Sequence, residues 1–227
     1  MDWTALTLSL QLAGLTVLIL LPLSVMLARW IAWSGGRAVA AIEALVMLPL
    51  VLPPTVLGYY LLVGLSPGNA IGAFFATLAG GPLVFSFAGL VLASLIVNLP
   101  FAVQPMARAF EAIPQSVREA AWVSGLSRWQ TFWRIEAPLA WPGVLSAAAL
   151  VFAHTLGEFG VILMVGGSIP GETRTLAISI YDKVQAFQNE AAGLMAGVLL
   201  AVSFAAIAVM HVAGRQRRQR MAPVAEF

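Results

Sequence analysis

Charge is absent from long blocks of this chain. No charged residue occurs from Trp3 to Ala28 or from Ala44 to Ala107, and further uncharged runs separate Glu136 from Glu158 and Glu190 from Arg215. A helix needs about 20 apolar residues to cross a hydrocarbon core of roughly 30 Å, so blocks of this length predict membrane-spanning helices. The longest block is divided by the turn-rich segment Ser66 to Pro82, and the spans expected are 3–28, 45–65, 83–106, 137–157 and 191–214. Between the third and fourth lies the longest polar connection, residues 107–136.

Composition agrees. The chain is 60% hydrophobic and 10% charged, against about 45–50% and about 25% in soluble domains. The class expected is an all-α membrane protein of about five transmembrane helices in a single domain, residues 1–227. No cysteine is present, which removes a disulfide framework and any thiolate metal site. The first apolar run follows Asp2 rather than a basic residue and is longer than the roughly 7–15 residues of a signal-peptide core, so it reads as a retained span.

Charge then orients the spans. Arg29 and Arg37 follow the first; Arg108, Arg118, Arg128 and Arg134 follow the third; Arg215, Arg217, Arg218 and Arg220 follow the fifth. The segment after the second has no charge, and the one after the fourth mixes Arg174 and Lys183 with Glu172, Asp182 and Glu190. Arginine and lysine collect in cytoplasmic loops. This predicts an outside N-terminus, a cytoplasmic C-terminus and a cytoplasmic 107–136 loop. The terminal arginine cluster reads as an anchor at anionic lipid rather than a nucleic-acid site.

Within that loop Pro114 stops the preceding helix, and "QSVREAAWV" predicts a short one. Ser116 and Glu119 have the spacing of a capping box, and Gly125 supplies the C-terminal break. Ser127 can start a further turn, in which Trp129, Phe132 and Trp133 form an aromatic face suited to the membrane interface. Pro138 fits the opening of the next span.

These residues carry a resemblance. Glu119, Ala120, Ala121, then Gly125, Ile135 and Pro138 at their spacing resemble the EAA loop of bacterial ABC-importer permeases, with Ala137 where that pattern has leucine. The resemblance implies a type I ABC-importer permease fold in which the loop helix docks on a separate ATP-hydrolysing subunit. Arg118, Glu119, Ala120, Ala121, Gly125 and Leu126 would then be the coupling residues, the two alanines permitting close approach and Arg118 with Glu119 offering polar contacts. A phosphate-binding loop needs G-x-x-x-x-G-K-[ST], and the one lysine, Lys183, follows "SIYD". The chain is expected to be no enzyme and to bind no cofactor; ATP and Mg would be used by the partner.

The resemblance extends further. "LPLVLPPTVLGYYLL", Leu48 to Leu62, and "LGEFGVILMVGGSIPGETRTLAISIY", Leu156 to Tyr181, are similar to segments of molybdate permeases. Sulfate permeases share Gly157 to Gly160, while Pro53 and Pro54 before Thr55, and Ile169, Pro170 and Gly171, tilt the choice to molybdate, with sulfate, thiosulfate or tungstate the alternative. The family implies a homodimer of this chain, two cytoplasmic ATP-binding subunits and an extracytoplasmic oxyanion-binding protein at the bacterial inner membrane.

Inside the spans no arginine or lysine occurs, so there is no basic ring of the kind that selects anions. A path built this way holds its substrate weakly. Its candidate polar lining is Thr55, Ser86, Ser94, Asn98, His154 and Thr155. Pro49, Pro53 and Pro54 interrupt the second span, and the freed carbonyls of such a break need neighbours or a cavity; Leu48 to Gly58 is either a gate or a packing kink. His154 and Glu158 share a helix face at i and i+4, a metal-ligand spacing, but the only other histidine is the distant His211, and no metal is expected. Glu158 is expected to cap the turn at Phe159 and Gly160 or to join an outer gate. An intramembrane enzyme built on His154 and Glu158, and a passive scaffold, are the rival readings.

Overall fold

The computed structural model describes residues 1–221, apart from the side chains of Ala79, His211 and residues 213–221. His211 and the arginine cluster at 215–220 therefore lie outside the described side chains. Eleven α-helices follow one another among the described residues: α1 Trp3–Trp33, α2 Arg37–Val51, α3 Pro54–Leu65, α4 Ala70–Ala79, α5 Phe87–Glu111, α6 Gln115–Val123, α7 Arg128–Thr131, α8 Ala137–Gly157, α9 Gly160–Gly166, α10 Leu176–Gln185 and α11 Asn189–Met221. A five-residue π-helical turn, Phe132–Glu136, joins α7 to α8.

Among the described residues four stretches are long and apolar enough to cross a membrane, namely α1, α5, α7 through α8, and α11. The expected span 137–157 has the residues of α8; α1 and α11 run past the expected ends, to Trp33 and Met221, and α5 is shifted along the chain, starting at Phe87 after the Ser86 cap rather than at Leu83 and ending at Glu111. The expected span 45–65 is where sequence and structure part. It is not one kinked helix but two, α2 and α3, meeting at 110° around Leu52 and Pro53. Pro49 sits inside α2 without breaking it; the break falls at Pro53, whose carbonyl accepts from Val56 and Leu57 N–H to start α3. The pair makes a fifth span only if both limbs are counted together.

Helices α1, α5 and α8 form the centre. Leu20 of α1, Ala102 of α5 and Val151 of α8 meet midway. Toward one end Ala28, Met106, Phe110, Phe132 and Ala140 pack around the end of α1 and the start of α8. Toward the other, Leu12, Leu90, Ile162 and Ile178 join α1, α5, α9 and α10. Helix α3 lies against α9 through Leu57, Val161 and Val165. Helix α11 is the most exposed of the long helices, with Leu194, Leu200 and Phe204 facing outward, as expected of a helix bordered by lipid.

The connections are built as well. The segment Ser66 to Pro82 contains α4, capped by Asn69, and 172–190 contains α10, capped by Thr175. Asp2 caps α1 by accepting from Ala5 N–H, and its other carboxylate oxygen accepts from the Ser179 hydroxyl at 3.1 Å, tying α1 to α10.

Candidate functional site

Two assemblies hold the residues that the sequence singles out, one at each of two levels along the central helices. The first is the loop between α5 and α8. Helix α6 carries Glu119 and Ala120 outward, while Ala121 is buried. Its start departs from the expected capping box: Pro114 is the N-cap with no side-chain bond, and Glu119 instead accepts from Gln115 Nε2 at 2.7 Å. Proline already pre-sets the backbone for the first turn, so Ser116 is not needed there. The capping box sits one helix later, where Ser127 and Gln130 bond reciprocally to open α7.

The end of α6 is a Schellman closure. Gly125 N–H donates to Trp122 O and Leu126 N–H to Ala121 O, with Gly125 at φ 83°, a left-handed conformation that costs a side-chain-bearing residue about 1–2 kcal/mol. The expected coupling residues Gly125 and Leu126 thus set where the helix stops. Of the aromatic trio, Trp129 and Trp133 face outward, but Phe132 is buried among α1, α5 and α8. The three rings still touch, with centroids 4.9–5.6 Å apart.

Arg118 is the larger correction. Expected to offer a polar contact outward, it points inward: its Nε lies 3.4 Å from Glu136 Oε1, and its guanidinium lies over the Trp33 ring at 3.5 Å. At 3.4 Å the Nε makes an ion pair without a hydrogen bond. Burial lowers the Arg118 pKa from the ordinary arginine value; Glu136 opposes that shift and Arg29 adds to it. Glu136 is fully buried, and Arg29 Nε donates to its Oε2 at 2.7 Å. Arg29 also lies over Trp33 and Phe132, at 5.1 and 5.4 Å. Arg29, Trp33 and Glu136 were not singled out by sequence reasoning. The available signal was one carboxylate at the mouth of a span in an arginine-rich loop.

The second assembly is at the break between α2 and α3. A cavity of about 120 Å³ opens there, lined among others by Pro49, Leu52, Pro54, Phe101, His154 and Glu158. Glu158 is the C-cap of α8 and accepts from Val161 N–H at 3.0 Å, bridging the turn at Phe159 and Gly160; the N-cap of α9 itself is Phe159, which makes no side-chain bond. Its Oε2 lies 3.8 Å from His154 Nε2. The His154 ring packs on Phe101 at 4.2 Å, and its Nδ1 is 3.1 Å from Asn98 Oδ1. Asn98 Nδ2 donates to Thr155 Oγ1 at 3.1 Å and to Ser94 O at 2.8 Å. A polar chain thus runs from Ser94 through Asn98 to Thr155 and His154, and on to Glu158 at the cavity. Gly160 allows the break to close on it: a Cβ there would stand 2.9 Å from Pro54 Cβ.

Not every candidate joins this assembly. Thr55 is exposed on the first turn of α3. Ser86 is the N-cap of α5, accepting from Gly89 N–H and donating to Leu83 O. Ser94 joins only through its backbone carbonyl, its buried hydroxyl having no hydrogen-bond partner. Chemically the cavity offers one imidazole, one carboxylate and apolar walls. No arginine or lysine lines it.

Known proteins share this architecture. The chain is 47% identical over 94% of its length to the molybdenum transport system permease protein ModB of Azotobacter vinelandii, covering 95% of that protein. It is 33% identical over 96% of its length to ModB of Escherichia coli (strain K12), covering 96% of that protein. A bacterial ABC transporter involved in import of the acidic polysaccharide alginate superposes with a TM-score of 0.76 at 19% identity, over 94% of this chain and 78% of that one. The MetNI methionine ABC transporter in an inward-facing conformation superposes with a TM-score of 0.61 at 19% identity, over 96% and 93%. Residues 20–219 match the binding-protein-dependent transport system inner membrane component family. With its long apolar helices, its α6 loop and this match over most of its length, the chain belongs to that family of multi-pass inner-membrane transport proteins.

Proposed function

We propose that this chain is the membrane-spanning permease subunit of an ATP-driven importer that carries molybdate across the bacterial inner membrane by alternating access. The observation that carries the substrate is its 47% identity, over nearly its whole length, to a molybdenum transport permease. The geometry is compatible with a weakly binding path, since the cavity at the α2–α3 break has polar groups but no fixed cation. Affinity then resides in an extracytoplasmic delivery protein, and energy in a separate ATPase that uses ATP and Mg.

Orientation follows from charge. The end of α1, helix α6 and the start of α8 meet at one end through Arg29, Arg118 and Glu136, and the tendency of basic residues to resist translocation supports a cytoplasmic position for that end. Asp2 and Ser179 meet at the opposite end, which on this reading is the external one. Two copies of the chain with two ATPase subunits make the working unit. Glu119 and Ala120 on the outward face of α6, with the closure at Gly125 and Leu126, form the surface that meets the ATPase.

The test is uptake of labelled molybdate into vesicles containing the chain, its cognate ATPase and its delivery protein, challenged with tungstate and with sulfate. Competition by tungstate and little by sulfate is expected. Strong competition by sulfate would move the assignment to the sulfate branch.

A further inference from the structure

We infer that Glu136 is the positioning residue through which motion of α6 reaches the membrane helices. The inference rests on the permease reading above but concerns a contact that the EAA-type surface does not include. Helix α6 is short and mostly exposed, with Ala121 its one fully buried side chain. A push on so small an element dissipates unless something rigid ties it to the spans. Glu136 supplies that tie. Its carboxylate is fully buried and engages two arginines from different elements: Arg29 from the last turns of α1, at 2.7 and 3.5 Å, and Arg118 from α6, at 3.4 Å.

The backbone and the rings reinforce it. Glu136 is the last residue of the π-helical turn, where Ala137 N–H donates to Phe132 O rather than to the carbonyl four residues back. Such turns insert one residue into a helix and re-aim the side chains on either side; here Phe132 and Glu136 are the two that point inward. Trp33 lies against both guanidiniums, 3.5 Å from that of Arg118 and 5.1 Å from that of Arg29, and a desolvated cation over an indole face adds attraction. Trp33 in turn meets Phe110 of α5 edge to face at 5.6 Å. Helices α1 and α6 therefore converge on the carboxylate that precedes α8, and α5 backs the cluster through Phe110. Buried charge pairs confer little net stability over apolar packing, and their best-attested use is to fix a geometry. A clamp that holds the angle between α6 and the α1–α8 pair is such a use.

The experiment uses the assembled transporter with its ATPase and delivery protein, and the variants Glu136→Gln, Arg118→Gln and the double change. Two quantities are read. The first is molybdate taken up per ATP hydrolysed, expected to fall about tenfold in each single variant and no further in the double, since both remove one shared interaction. The second is the distance between spin labels at Ser116→Cys on α6 and Leu139→Cys on α8, in a chain that has no native cysteine. That distribution is expected to be narrow with the Glu136–Arg118 pair intact and broad when either member is changed. Arg118→Gln leaves Glu136 paired with Arg29, so it reads the clamp even if Glu136→Gln fails to assemble. Uptake and hydrolysis falling in parallel, or an unchanged ratio, or an unbroadened distance, would each overturn the inference. The label distance does not depend on the substrate: a wild-type transporter that takes up no molybdate contradicts the substrate assignment and leaves the clamp to be judged on distance.

Discussion

Asn98 is the residue on which the membrane assembly turns. It is fully buried in α5 and reaches across to α8, with its amide oxygen 3.1 Å from His154 Nδ1 and its amide nitrogen donating to Thr155 Oγ1. Polar side chains bonded across helices in a membrane contribute about 0.6–2 kcal/mol each. Asn98→Leu removes both bonds at similar volume, while Thr155 keeps its donation to Val151 O. The purified protein is expected to lose roughly 1–2 kcal/mol of stability in thermal unfolding, and uptake is expected to drop because His154 is no longer held toward the cavity. Normal uptake by this variant would take the chain of Asn98, Thr155 and His154 out of the path. Arg118 teaches a complementary point: a charged side chain beside a recognition motif can turn inward, here because the fully buried Glu136 carboxylate, already paired with Arg29, draws it in as a second partner.

At the level of elements, what could be read in advance was whatever depends on local apolarity and on proline and glycine. Helix α8 falls on its expected residues, and α6 ends at Gly125 as its sequence predicts. The 110° turn at Leu52 and Pro53 could not be read. Two adjacent prolines announce an interruption, but the angle is set by what α3 packs against, namely α9 through Leu57, Val161 and Val165. Nor could the Arg29–Glu136 pair, whose members are 107 residues apart; no local pattern links them. The role of Gly160 became visible only once α3 was placed. Gly160→Ala puts a methyl 2.9 Å from Pro54 Cβ, closer than carbon atoms pack, and forces α3 away from the α8–α9 turn. Insertion, followed by immunodetection in membranes, should stay normal while uptake falls at least severalfold. Full uptake would reduce the break to a packing feature.

Taken whole, the molecule separates its tasks along its length. One end gathers arginines around Glu136 beneath α6, the middle is an apolar contact of α1, α5 and α8, and beside it lies the break with its small polar cavity. The central claim is that this chain carries an oxyanion but is driven through α6 by another subunit. It is tested most directly by reconstituting it with its ATPase and delivery protein and measuring ATP-dependent molybdate uptake for the wild type, Glu119→Lys and Gly125→Asp. Glu119 is on the exposed face of α6 and Gly125 closes the helix at φ 83°, so neither change disturbs the membrane core. The account predicts ATP-dependent uptake in the wild type and its loss in both variants while each still inserts; full uptake in both would contradict it.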